Sequence, residues 1–214
     1  MALPGIKGIL TLVVAVCAVL PMTGQSGALS FLREGDLLFA CSDTTNAITQ
    51  VTSGVENLPI DHVGIVHRIG GDSGPLFVIE AIKPNVCLTP IDSFMVENPH
   101  VLVGRVNVEM DVYRSIRRCL AMVGKPYDDL YLPGDSAVYC SELVQMNYVP
   151  PCGELIFGTI PMSFHDASGR VTDYWTDFYS RRGMTVPEGW PGTNPGELSR
   201  RPQVSIVGKF PIVL

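Results

Sequence analysis

A single cysteine marks the most informative stretch of the sequence, Gly134-Asp-Ser-Ala-Val-Tyr-Cys-Ser-Glu-Leu-Val-Gln145. Its first residues, Gly134 to Ser136, are typical of turns and helix N-caps. The apolar residues after Cys140 suit one face of a helix that must end at Pro150. The sequence therefore predicts that Cys140 lies in the first helical turn. Backbone N–H groups and the helix dipole favour a thiolate there, so Cys140 is our candidate nucleophile.

The alternative for Cys140 is an inert buried thiol, which is common among free cysteines. Two upstream segments favour the reactive role. Asp61-His-Val-Gly-Ile-Val66 predicts a strand that carries His62, and Leu76-Phe-Val-Ile-Glu-Ala81 predicts a strand that carries Glu80. The glycine-rich connection between them indicates a hairpin. A cysteine, a histidine and a carboxylate on rigid elements form the arrangement found in thiol hydrolases.

The numbering also predicts how this hairpin pairs. If the turn is centred on Gly71, His62 lies directly opposite Glu80, and both side chains share one face of the sheet. Directly opposed residues have Cβ atoms about 4.5–5.5 Å apart, which lets a carboxylate reach an imidazole. We therefore expect Glu80 to orient His62 and leave the second ring nitrogen for Cys140.

Five short motifs occur in an order that resembles one protein family. They are Gly35-Asp-Leu-Leu-Phe39, Asp61-His-Val-Gly-Ile65, Val78-Ile-Glu-Ala81, Gly124-Lys-Pro-Tyr-Asp128 and Tyr139-Cys-Ser-Glu-Leu143. Together they resemble the permuted papain-like amidases of the NlpC/P60 superfamily, the YiiX/YebB-like group. In that family the histidine-bearing strand precedes the cysteine-bearing helix, which reverses the order in papain. This sequence has the reversed order.

The resemblance implies a fold and a set of site residues. The fold would be α+β and circularly permuted papain-like, an antiparallel sheet with the cysteine-bearing helix packed against it. Cys140 would be the nucleophile, His62 the base and Glu80 the third, polar member of a triad. Tyr127 and Asp128 match a Pro-Tyr-Asp element of the family.

We expect Tyr127, Asp128 and Tyr139 to lie near the substrate. The resemblance implies a cysteine hydrolase, an amidase or peptidase without a cofactor, that attacks an amide or acyl bond in cell-wall peptide or lipid. Two alternatives remain open at this point. One is a non-catalytic module that binds peptidoglycan or lipid in the cell envelope, and the other is a thiol acyltransferase.

Residues 1–28 resemble a secretory signal peptide. One lysine precedes the apolar run Ile9–Leu20, and small residues follow it in Pro21–Ala28. The run is too short for a comfortable membrane span, so we expect no stable span after cleavage. Export would place the protein in the periplasm, the cell envelope or the medium.

We expect the signal to be cleaved after Gly24 or Ala28. An uncleaved anchor is one alternative. Lipidation at Cys17 is another, but Val16 stands where a lipoprotein signal has a small residue.

The remaining residues, 29–214, have the size of a single domain. The sequence holds 15 basic and 21 acidic residues, a net charge of −6. This negative charge argues against nucleic acid as a partner.

The other elements are predicted from local signals. Asp111 starts the clearest helix, which Gly124 and Pro126 end. Asn46–Val51 is predicted as a short helix. The segment Pro187–Pro202 is rich in proline and glycine, so we expect a surface loop, either a lid or a flexible arm.

Four further cysteines could form two disulfides or remain thiols, and the sequence does not choose: Cys41, Cys87, Cys119 and Cys152. No Cys-x-x-Cys or His-x-x-x-His spacing appears, so no metal site is expected.

Overall fold

A six-stranded antiparallel sheet forms the centre of the structure, a computed structural model that describes residues 29–71, 73–134 and 136–211. In spatial order its strands are β4 (Val86–Pro90), β3 (Leu76–Ala81), β2 (Ile60–Arg68), β1 (Leu37–Cys41), β5 (Val101–Val106) and β8 (Val204–Phe210). Two short strands, β6 (Ile160–Pro161) and β7 (Pro191–Gly192), pair with each other apart from this sheet. The described chain from Leu32 onward forms one compact unit, which holds all these elements. The predicted signal segment, residues 1–28, lies outside the described residues.

In the part of the chain that the structure describes, five helices accompany the sheet: α1 (Ile91–Glu97), α2 (Val112–Ala121), α3 (Cys140–Asn147), α4 (Asp173–Ser180) and α5 (Pro195–Ser199). A single 3-10 turn covers Val55–Asn57. Helix α3 contacts β2, β3 and α2. The α+β class is therefore confirmed, with an antiparallel sheet and the cysteine-bearing helix packed against it. None of the described helices is long and apolar enough to cross a membrane.

The core lies between the sheet and α3. Leu37 to Ala40 of β1 are all buried, since this central strand is covered on both faces. From α3, Leu143 and Val144 are fully buried in the same cluster. Full burial of an aliphatic side chain stabilises the fold by about 1.5–3 kcal/mol. These contacts hold the cysteine-bearing helix at a fixed distance from β2.

The helix predicted from Asp111 is confirmed. The Asp111 carboxylate accepts a hydrogen bond of 2.9 Å from the Arg114 N–H, as an N-cap does. The helix ends at Ala121, and Gly124 follows with a φ of +88°, which glycine adopts without strain.

Helix α3 begins later than the turn residues Gly134 to Ser136 suggest. Its N-cap is Tyr139, so Cys140 is the first helical residue. The delay arises because Val138 forms a bridge with Tyr127, and its N–H donates to the Pro126 carbonyl at 3.0 Å. Asp135, named above as a turn residue, lies outside the described residues. The prediction that Cys140 lies in the first turn is nevertheless confirmed.

The predicted hairpin register is wrong by two residues. Val66 pairs with Val78 and Arg68 with Leu76, so the turn is centred one position beyond Gly71. Strand β2 runs on to Arg68 because the Arg68 N–H donates to a Glu34 carboxylate oxygen at 2.7 Å. A shift of two preserves the face of every side chain, so His62 and Glu80 remain on one face as diagonal rather than direct neighbours.

Two other segments differ from their predictions. Asn46–Val51 forms turns rather than a helix, and the Asn46 side chain accepts from the N–H groups of Ile48 and Thr49. The predicted surface loop Pro187–Pro202 contains β7 and α5. Its Leu198 is fully buried, so this segment packs into the fold and is not a flexible arm.

The five cysteines in the described part of the chain are free thiols. Cys119 is buried in α2, and burial raises the pKa of its thiol to about 12. Cys152 is the exposed one.

A buried ion pair ties the start of β1 to β5. The carboxylate of Asp36, 2% exposed, accepts two hydrogen bonds from the Arg105 guanidinium, at 2.7 Å from Nε and 2.6 Å from the terminal nitrogen. It also accepts from the Arg33 N–H at 2.8 Å. This pairing gives a physical reason for an aspartate after Gly35 at the start of the strand.

We expect Arg105→Met to lower the free energy of unfolding by about 3–5 kcal/mol, because it leaves the Asp36 carboxylate buried without its cation. Lys209→Met is the matched control, since it breaks the exposed pair with Glu56 and should cost less than about 1 kcal/mol. Urea unfolding of the two variants measures both values. Equal losses would show that the Asp36–Arg105 pair contributes no more than a surface pair.

Candidate active site

His62 and Glu80 are in direct contact. His62 Nε2 lies 2.7 Å from Glu80 Oε2, and the two side chains are 18% and 3% exposed. His62 and Glu80 are diagonal neighbours on β2 and β3, and side chains of their length can make contact at that separation. The structure thus brings together two of the three residues predicted for the triad.

A threonine on the neighbouring strand fixes the glutamate. Thr89 of β4 donates its hydroxyl proton to Glu80 Oε1, so both carboxylate oxygens of Glu80 have partners. Cys87 lies opposite Glu80 in the β3–β4 ladder, and its Sγ is 3.6 Å from the Thr89 hydroxyl. The sequence analysis missed Thr89, because only the β3–β4 register shows which residue of β4 reaches Glu80.

The third residue, Cys140, influences the same imidazole. Burial of the His62 imidazole lowers its pKa, but hydrogen bonds with Cys140 and Glu80 and their negative charges outweigh burial and raise the pKa of His62 to about 10. Because Glu80 holds Nε2, Nδ1 is the ring nitrogen left for Cys140. At neutral pH the His62 imidazole is therefore protonated.

Gly64 allows α1 to pack beside the histidine. A Cβ at Gly64 would collide with the Val78 side chain and lie 3.3 Å from Phe94 Cε2. The Phe94 ring is fully buried, with its centroid 6.1 Å from that of His62. Glycine at this position therefore allows Phe94 to form one wall around the imidazole.

The start of α3 is held by a glutamate within the helix. The Glu142 carboxylate accepts a hydrogen bond from the Tyr139 N–H, as in a capping box. Burial and the nearby Asp128 raise the pKa of Glu142 to about 8. The N–H groups of Cys140 and Ser141 belong to the first helical turn, where no helical carbonyl can bond them. They remain available to an oxygen anion beside Cys140.

A narrow cleft that opens to solvent adjoins Cys140. Most of its lining is aromatic or aliphatic, and the rest is polar. Its residues include Tyr127, Tyr131, Tyr139, Trp175, Phe164, Met162, Ile48, Val51, Asp61, Thr193 and Asn194. The cleft can therefore accommodate an apolar group next to the thiol.

The residues expected near the substrate divide into two groups. Tyr127 and Tyr139 line the cleft, whereas Asp128 does not. The Asp128 carboxylate accepts hydrogen bonds of 2.8 Å from the N–H groups of Leu130 and Leu132, so it shapes the loop behind the cleft.

Tyr139 joins the cysteine-bearing helix to the segment after β7. Its hydroxyl accepts a hydrogen bond of 2.9 Å from the Thr193 N–H. A Cβ at Gly192 would come within 2.9 Å of that hydroxyl, so glycine allows this close approach. Thr193 and Asn194 form one wall of the cleft, a role that the sequence analysis left open for this segment.

Metal binding has no obvious donor set here. No group of three His, Cys, Asp or Glu side chains comes together within ranges 29–71, 73–134 and 136–211.

Comparison with known proteins places the chain in a family. The description of the family model that matches residues 31–208 is permuted papain-like amidase enzyme, YaeF/YiiX, C92 family. The crystal structure of the metalloprotein YiiX from Escherichia coli O157:H7 matches with a TM-score of 0.66 and 22% sequence identity, over 83% of this chain and 97% of that chain. At this identity the structural match shows a shared fold. No curated protein matches the chain.

The family match extends from the segment before β1 into β8 and includes Cys140, His62 and Glu80. On this match the chain belongs to the permuted papain-like amidases of the C92 family, which are cysteine hydrolases.

Proposed function

We propose that the protein hydrolyses an amide or acyl bond with Cys140 as nucleophile, His62 as base and acid, and Glu80 as the residue that orients His62. The observation that carries this proposal is the contact of Glu80 with His62, together with Cys140 at the start of α3, whose thiol is among the groups that raise the pKa of His62. It supplies a charged nucleophile, a proton donor and a fixed imidazole in one place.

In the first step the Cys140 thiolate adds to the carbonyl carbon, and the π electrons of the carbonyl move to its oxygen. First-turn N–H groups of α3 would stabilise that oxyanion, since they point out of the helix start. The His62 imidazolium then gives its proton to the leaving nitrogen or oxygen as the bond to carbon breaks. A thioester on Cys140 and a neutral imidazole remain.

In the second step His62 takes a proton from water, and the hydroxide adds to the thioester carbonyl. The carbon–sulfur bond breaks, the acid is released, and the thiolate–imidazolium pair is restored. Glu80 stays ionised throughout and stabilises the imidazolium. Thr89 holds Glu80 in the orientation that this role needs.

The aromatic cleft supports a substrate that places an apolar group beside the scissile bond. We propose cell-wall peptide or lipid as the substrate. The apolar lining of the cleft favours lipid. The signal-like residues 1–28 support export to the periplasm, cell envelope or medium. The steps above use only side chains and backbone of this chain, and we assign no step to a metal.

We expect Cys140→Ala to abolish turnover of a chromogenic acyl anilide or acyl ester while the unfolding midpoint stays nearly unchanged. The variant loses the nucleophile but only one buried sulfur atom. Cys152→Ala is the control, because Cys152 is exposed and outside the cleft. Turnover that survives Cys140→Ala would contradict the covalent mechanism.

The pH dependence follows from the raised pKa of His62. His62 is protonated at neutral pH and loses its proton as the pH rises through about 10, so turnover should decline there. The stability that the protonated ring contributes should be fully present below the unfolded pKa of 6.5 and should be lost as the pH rises from there to about 10. Glu80→Gln removes a negative charge beside the ring, so the basic limb of the rate profile should move to lower pH and kcat should fall about tenfold or more. Glu97→Gln, at an exposed site on α1, should leave the profile in place. If the basic limb of the rate profile does not shift in Glu80→Gln, Glu80 has no role in the protonation of His62 during catalysis.

A further inference from the structure

Asp61 occupies an irregular position beside the catalytic histidine. In the β1–β2 ladder Ala40 pairs with His62 and Cys41 pairs with Ile60, so Asp61 is the extra, unpaired residue of a β-bulge. Bulges redirect side chains and are frequent beside active sites. Regular alternation would turn Asp61 away from the face of His62. The bulge instead lets Asp61 line the cleft that contains Cys140.

One oxygen of the Asp61 carboxylate is held in place. The Asn46 side-chain amide donates to Asp61 Oδ2 at 2.5 Å. Asn46 itself is fixed, because its amide oxygen accepts from the N–H groups of Ile48 and Thr49. The turn predicted as a helix therefore serves to orient a carboxylate at the cleft.

The other oxygen is available for a ligand. Within the described part of the chain, no ion pair involves Asp61, and its one hydrogen bond is the contact from Asn46. The carboxylate in contact with the His62 ring is that of Glu80, not Asp61. A half-buried carboxylate with a fixed orientation and no cation is suited to a cationic partner.

The rest of the cleft fits the same partner. Asp61 is the one Asp or Glu among the described residues that line it, and no Lys, Arg or His is among them. Tyr131, Tyr139 and Trp175 contribute aromatic rings, whose faces attract ammonium groups. An anionic substrate group would meet the Asp61 carboxylate, and no Lys or Arg side chain lines the cleft to bind it.

From these contacts we propose that Asp61 is a specificity-determining residue that binds a protonated amine of the substrate. This rests on the proposed function of Cys140 and narrows its substrate. The preferred substrate is an amide or ester in which an ammonium group lies next to an apolar group, close to the scissile bond. The ammonium donates to Asp61 Oδ1, while the apolar group fills the aromatic cleft.

The first test uses two methanethiosulfonate reagents of equal reach, one ending in an ammonium and one in a sulfonate. Their rates of reaction with Cys140 are measured by mass spectrometry of its peptide. We expect the ammonium reagent to react faster, and Asp61→Asn to reduce the ratio of the two rates by about tenfold, because it removes one charge at the cleft. The asparagine can still accept from Asn46, so the turn keeps its anchor.

Asp43→Asn is the matched control. Asp43 is an exposed carboxylate nearby in sequence that does not line the cleft, so removing the same charge there should change the ratio by less than about twofold. A ratio that is the same in wild type and Asp61→Asn, or equal losses in both variants, would overturn the assignment of Asp61.

The second test uses an aminoacyl anilide and its N-acetylated counterpart. We expect the free amine to be preferred, and Asp61→Asn to raise KM for the amine substrate about tenfold while KM for the acetylated one changes little. An unchanged preference would overturn the inference but leave the triad intact. A different result would contradict the proposed function itself: Cys140 would react no faster than Cys152 with either methanethiosulfonate reagent. That result would also overturn the role assigned to Asp61.

Discussion

The contact between His62 and Glu80 is the constraint on which the rest of the site depends. His62 on β2 and Glu80 on β3 are diagonal neighbours across the two strands, so their contact requires the observed register of β2 and β3. A shift by one residue would send Glu80 to the opposite face of the sheet. Thr89 then holds the second carboxylate oxygen from β4, so three adjacent strands fix one imidazole.

The same sheet positions Cys140, the proposed nucleophile, because α3 packs on β2 and β3 through buried aliphatic side chains. The helix begins at Cys140, so its unbonded N–H groups and its thiol meet at one point. Tyr139 links this point to Thr193 on the far wall of the cleft. Nucleophile, imidazole and cleft are thus built from separate elements that share one core.

Much of this could be predicted from local sequence, because some signals act over a few residues. Asp111 caps its own helix through the Arg114 N–H, and the proline after Val149 limits α3, so both helices were predicted with the right type. The face shared by His62 and Glu80 was also predicted, since alternation along a strand is local. The order of the motifs was enough to indicate the family that the match over residues 31–208 shows.

The features that could not be predicted depend on distant residues. Glu34 extends β2 to Arg68 and so moves the hairpin register. The bulge at Asp61 appears only when β1 and β2 are paired. The prolines and glycines of Pro187–Pro202 predicted a surface loop. In the structure, however, Gly192 allows the Tyr139 hydroxyl to lie close to the backbone, and the Leu198 side chain is buried in the core. In each case a tertiary contact overrides the local preference.

The most direct test of this account is the protonation state of the His62 ring, measured by nitrogen NMR on protein labelled at histidine. The account predicts that both ring nitrogens of His62 carry protons at neutral pH, and that the ring loses a proton at lower pH in Cys140→Ala, where the thiolate is absent. A neutral His62 ring at neutral pH in the wild-type protein, unaffected by Cys140→Ala, would contradict the thiolate–imidazolium pair.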